Sequence, residues 1–150
     1  MLNAINPDFI RFRTLKVTKD MPLFEKVESG DFVISSEEEI IKEERSLIER
    51  LNGITSYIKS DHILNLLEEI EGKLPEDKEK MLRIIDDFTS LGDEQRLTFR
   101  FGRRAGIYRR LNDLNDELTY FKIRKQIREM EQKEPGSVEK TLSLLLENYI

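Results

Sequence analysis

The longest uninterrupted helical signal in the chain runs from Gly102 to Glu131, GRRAGIYRRLNDLNDELTYFKIRKQIREME. Apolar side chains recur at Ile107, Leu111, Leu114, Leu118 and Phe121, in steps of four, three, four and three. The stripe then drifts by one position to Tyr120, Ile123, Ile127 and Met130, the drift expected when a 3.6-residue helix carries a 3.5-residue pattern. One face is therefore apolar for about seven turns and needs neighbours of similar length to cover it. The pattern predicts a single helix from about Arg103 to Lys133, with the rest of the chain supplying its cover.

Those neighbours are legible as further helices. Ser36 followed three residues later by Glu39 is a capping box, and Glu37, Glu38 and Glu39 suit the positive end of a helix. From there Ile40, Glu44, Leu47, Leu51, Ile54 and Ile58 fall on one face. Gly53 and Lys59-Ser60-Asp61 bend or end the helix, and Ile63 to Ile70 carry the stripe on to a stop at Gly72. Pro75 fits the first position of a second helix, whose buried face is Met81, Leu82, Ile85, Phe88 and Leu91, with Gly92 at its end. In Asp93–Phe101, Leu97, Phe99 and Phe101 alternate with polar residues, which predicts an extended connection. Pro135-Gly136 stops the long helix, Ser137 caps a last one, and Leu142, Leu145, Leu146 and Tyr149 form its covering face.

Residues 1–35 show no helical period. Pro7, Pro22 and Ser29-Gly30-Asp31 interrupt them, and they read as an extended or partly ordered arm with Phe24, Phe32 or Ile34 packed on the rest; a short strand also fits. The expected fold class is all-α: an antiparallel four-to-five-helix bundle over residues 36–150 behind that N-terminal arm.

A chain of 150 residues is long enough for one cored domain, and it contains no cysteine, so disulfides, thiolate metal sites and cysteine nucleophiles are excluded. No apolar run approaches the roughly 18 residues that span a bilayer, and MLNAINPDFIRFR has no signal-type apolar centre. A cytoplasmic protein is the expectation, with no membrane contact. The net charge of −5 hides an asymmetry. Residues 35–92 hold eight basic and fifteen acidic groups, whereas residues 93–128 hold ten basic and five acidic. Such separation means either that one segment docks on another or that one meets an external anion.

From Leu66 onward an order of features stands out: LLEEIEGKL (66–74), a helix ending in DDF (86–88), FGRRAGIYRRLNDLNDEL (101–118) and KEPGSVEKTLSLLLENYI (133–150). This order resembles the YaaR-like family of uncharacterised bacterial proteins (domain of unknown function 327). The likeness covers a little over half the chain and leaves out the arm. It implies a four-helix bundle of the bacterial cytoplasm with no established activity and no known catalytic residues.

The most pointed cluster is Arg96, Arg100, Arg103, Arg104, Arg109 and Arg110, interleaved with Phe99, Phe101 and Tyr108. Guanidinium groups grip phosphates bidentately and aromatic faces stack on bases, so the cluster is a candidate anion or partner-binding site. The competing reading is pairing with the acidic segment inside the fold. His62 stands alone without the partners a metal centre needs. Glu68, Glu69, Glu71, Asp86 and Asp87 fall on helix faces expected to be solvated, which does not suit general acid–base work. A Walker-type phosphate loop, GxGxxG, GxSxG and HExxH are all missing. No catalytic residue, metal or cofactor is expected. Two functions follow: a protein-interaction or adaptor module, with a partner or a second copy, and a binder of anions or single-stranded nucleic acid through Arg96 to Arg110.

Overall fold

The N-terminal arm is built into the structure by polar side chains. In the computed structural model, which describes residues 1–147, α1 (Leu2–Ile5) ends at Asn6 in a left-handed conformation. Asn3 donates to the Arg50 carbonyl at 2.9 Å, and Thr55 N–H donates to the Asn6 side chain at 2.8 Å. Strand β1 (Phe9–Arg11) then pairs in parallel with β2 (Tyr57–Lys59), which pairs antiparallel with β3 (Gly72–Lys73). Ile10 and Phe12 enter the core, while Phe24 is half-buried and Phe32 and Ile34 remain 36% and 44% exposed. The arm is thus anchored by its first third. A short helix α2 (Pro22–Glu28) sits between β1 and the main helices.

The chain is predominantly helical, but the expectation of an all-α fold gives way to this small sheet. Its strands come from segments with other expectations, residues 57–59 as helix and Gly72 as a helix stop. Helix α3 (Glu37–Arg50) starts as expected. Ser36 Oγ accepts from Glu39 N–H, and the Glu39 carboxylate accepts from Ser36 N–H at 2.7 Å. It stops earlier than its apolar spacing predicts. The Lys78 ammonium donates to the carbonyls of Glu49 and Leu51, both at 2.8 Å, and Gly53 turns the chain with φ +69°.

Beyond β2 the chain runs irregularly, although Leu64, Leu66, Leu67 and Ile70 are buried. A buried irregular backbone needs polar partners, and Asn65 supplies them. Its carbonyl accepts from Thr14 N–H and Oγ1, each at 3.0 Å. Its amide donates to Phe12 O at 3.0 Å and Ser60 Oγ at 2.9 Å.

Helix α4 (Lys78–Ser90) packs on α3 with Met81, Ile85 and Phe88 fully buried; it begins three residues after Pro75. Asp93–Phe101, expected to be extended, is instead part of helix α5 (Asp93–Arg104), and Gly92 is its N-cap. The predicted Arg103–Lys133 helix is instead divided: α5 ends at Arg104, a 3-10 turn covers Leu111–Asn115, and α6 spans Glu117–Lys133. α7 (Ser137–Glu147) closes a group in which α5, α6 and α7 touch one another. Its start is served by Glu131, whose carboxylate accepts from Gly136 N–H at 2.9 Å and Val138 N–H at 3.1 Å; the Ser137 hydroxyl, expected to cap, meets no partner. Leu142 of the expected covering face is buried, and Tyr149 lies outside the described residues.

Candidate functional site

The arginines of α5 recur at helical spacing, so they lie along one side of the helix and meet carboxylates from three other segments. Arg96 contacts Glu38 at 3.2 Å, pairs with Asp93, and donates to the Leu91 carbonyl at 2.5 Å. Arg100 donates to Glu37 at 2.8 Å and forks onto Glu139 at 2.9 and 3.1 Å. Burial opposes the Arg100 charge, but Glu139 and Glu37 outweigh it and raise its pKa above the ordinary arginine value. Arg104, 1% exposed at its side chain, also takes Glu37 and donates to the carbonyls of Ile63 at 3.3 Å and Leu64 at 2.9 Å. Arg103 reaches Glu68 at 2.9 Å, and Glu68 receives Arg109 as well, at 3.0 Å. The guanidinium of Arg110 has no ion pair among the described residues.

This ladder fastens α5 to the first turn of α3, to α7 and to the 61–71 segment. Asp93–Phe101 is helical with both kinds of side chain engaged, the arginines on carboxylates and Phe99 and Phe101 in the core.

Phe99, Phe101 and Tyr108 are core residues, at 0%, 3% and 1% exposure. Phe99 stacks on Tyr108 with ring centroids 6.2 Å apart and tilts against Phe88 at 5.9 Å. None of the three offers a free face for a base. Tyr108 also accounts for the break in the predicted long helix. Gly106, at φ +72°, turns the chain back, and Ile107 and Tyr108 N–H both donate to the Gly102 carbonyl. The Tyr108 ring then lies flat on Gly102, where a Cβ would overlap it. Burial raises the Tyr108 pKa, with Asp116, Tyr120 and Asp113 adding to it. Asp113 accepts from Arg109 and Arg110 N–H at 2.7 and 2.9 Å, and Asp116 caps α6 through Thr119.

Three of the other candidate carboxylates are likewise engaged. Glu69 accepts from Leu111 N–H at 2.8 Å, Glu71 from the Tyr57 hydroxyl at 2.7 Å, and Asp86 from Arg45 at 2.6 Å. The Arg45 contact holds the Asp86 pKa below its ordinary value, and Glu71 raises that of Tyr57. His62 is half-buried with Nδ1 unpartnered. Among the described residues no cluster of His, Asp and Glu is placed to hold a metal ion, and no helix is long and apolar enough to cross a membrane.

What the fold leaves outside is the first half of α6. Ile123 and Ile127 are its buried face, while Leu118 and Phe121, expected in the covered seam, are 74% and 58% exposed. Beside them stand Lys122, Lys125 and Arg128, all exposed. Phe121, Arg124, Lys125, Arg128, Glu129 and Gln132 line a shallow groove of about 400 Å³. The stripe that carried Leu118 and Phe121 was expected to be covered, and at these two positions it is not. No family model, curated protein or solved structure matches this chain.

Proposed function

We propose that this chain is a non-enzymatic protein-interaction module whose α6 receives an acidic amphipathic helix of a partner protein. The observation that carries this is the exposure of Leu118 and Phe121, one turn apart on the outer face of α6. Two large apolar side chains so placed are covered when a partner helix lays its own apolar stripe along them. Lys122, Lys125 and Arg128 flank them and select for carboxylates at the edges of that stripe. Arg128 is partly answered by Glu94 at 3.1 Å and Lys125 by Glu129 at 3.8 Å, so Lys122 is the freest cation of the three.

The same charges disfavour a second copy as occupant. A two-fold contact sets a surface against itself, which here brings Lys122, Lys125 and Arg128 against like charge. A non-enzymatic role is supported by the donors already assigned to Glu68, Glu69, Glu71 and Asp86.

The test is Phe121→p-benzoylphenylalanine, photolysed in a cell extract, with the adduct mapped by mass spectrometry. An adduct on an acidic amphipathic helix of another protein, lost on adding Leu118→Ser, supports the reading. Adducts only with this chain itself, or none beyond those of the same probe at exposed Arg83 on α4, contradict it.

A further inference from the structure

The pattern of rings and cations that the sequence suggested for α5 exists, solvent-facing, on the sheet. Side chains alternate across a strand, and Ile10 and Ile58 point into the core. The outer face is therefore Phe9 and Arg11 of β1, Tyr57 and Lys59 of β2, and Lys73 of β3. Phe9 is paired across the strands with Tyr57, Arg11 with Lys59, and Tyr57 with Lys73. The two rings sit 6.2 Å apart, tilted by 56°, and the Lys59 ammonium lies 5.7 Å from the Tyr57 ring centre.

We propose that this face binds single-stranded nucleic acid, with bases stacking on Phe9 and Tyr57 and phosphates held by Lys59, Lys73 and Arg11. The cross-strand aromatic pair is open to solvent at one ring, since Phe9 is 67% exposed. Its ring, with Arg11 and Lys59, lines an open recess of about 400 Å³. Neither Lys59 nor Lys73 has a carboxylate partner among the described residues, so their charges are available to phosphate. Arg11 is held by Asp61 at 2.8 Å, and the Tyr57 hydroxyl donates to Glu71, which fixes the ring, with Lys59 over one of its faces.

Unstacked bases present the π-faces that such rings take, and they do so in single strands, not in duplexes. The adjoining recess, which Tyr57 also lines, carries Glu68, Glu69, Glu71 and Asp77, so a bound strand keeps its phosphates on the Phe9, Arg11 and Lys59 side of the Tyr57 ring. The footprint is short, about two bases. This inference is independent of the α6 surface and stands or falls without it.

The experiment is fluorescence anisotropy of the full chain with labelled 12-nucleotide DNA and RNA single strands and a matching duplex, in 50 mM salt. Binding of one or both single strands ahead of duplex is expected. Phe9→Ala should weaken it about 5- to 150-fold, the value of one base stack on one ring. Phe9→Leu should weaken it comparably, because it keeps the bulk and removes the π-face. Lys59→Ala and Lys73→Ala should each flatten the salt dependence by about 0.7 in log–log slope. Arg110→Ala should change nothing. No binding by any strand overturns the proposal, as do equal affinity for duplex and equal losses from Arg110→Ala. Full retention in Phe9→Leu overturns it too, and makes the face an apolar protein contact. Phe9 is exposed, so its variants fold, and far-ultraviolet circular dichroism checks that they do.

Discussion

Glu44 offers a sharp physical test of the core. It falls on the buried face of α3 with Ile41 and Ile48, and its Oε2 is sealed from solvent without a hydrogen-bond partner. Burial pushes its pKa up to about 7 from the ordinary 4.5. The folded protein therefore holds this proton more tightly than the unfolded chain does. The stability from the neutral carboxyl is fully present below about pH 4.5, and it is lost as pH rises through 7. Between those limits the loss is about 3 kcal/mol, at about 1.4 kcal/mol for each tenfold difference in proton affinity. That is a sizeable part of the roughly 5–15 kcal/mol that holds a typical domain together.

Glu44→Gln keeps the shape of the neutral acid and removes the titration. Urea unfolding at pH 5, 6, 7 and 8 should show variant and wild type close together at pH 5. The variant should then gain steadily, to an advantage of about 3 kcal/mol at pH 8. A variant weaker than wild type at pH 8, or a difference that stays flat with pH, would mean that the carboxylate is held ionised by a partner, and would refute the reasoning.

Two further outcomes follow from the α5 contacts. Glu37→Ala takes the carboxylate that Arg100 and Arg104 share and should lower stability in denaturant titration by more than Glu139→Ala, which at the exposed end of the ladder should cost about 1 kcal/mol or less. Gly102→Ala drives a methyl group into the Tyr108 ring and should cost about 1–3 kcal/mol in a thermal melt, part of it regained in the double variant Gly102→Ala/Tyr108→Leu.

The parts of the fold legible in the sequence were those where local chemistry and packing agree. Ser36 and Glu39 mark the start of α3, and Met81, Ile85 and Phe88 are the buried stripe of α4. The stripe of the supposed long helix misled because it sums two surfaces. Leu111 and Leu114 pack on the core from a 3-10 turn, Ile123 and Ile127 pack from α6, and Leu118 and Phe121 lie outside. The interruption was written in Gly106, Asp113 and Asp116, a turn and two caps, but apolar spacing alone gives such residues no weight.

Residues 54–70 misled in a similar way. Their isoleucines and leucines are buried as expected except Ile63, yet Asn65, with the hydroxyl of Ser60, supports an irregular backbone that spacing cannot reveal. The rings of the Arg-rich segment were visible and their burial was not, because Phe99, Phe101 and Tyr108 become core only once α5 is a helix. The sheet face stayed hidden for a further reason. Phe9, Tyr57 and Lys73 are far apart in sequence, and strand pairing alone makes them neighbours.

The openness of α6 can be measured directly, because the chain has no cysteine of its own. Leu118→Cys, Phe121→Cys, Ile123→Cys and Ile127→Cys, each a single variant, can be timed against a thiol reagent in native buffer. The thiols placed at 118 and 121 should react nearly as fast as a free thiol, and those at 123 and 127 far more slowly. Thiols at 118 and 121 as protected as the one at 123 would mean that this face is already covered, and the docking surface proposed for α6 would not exist.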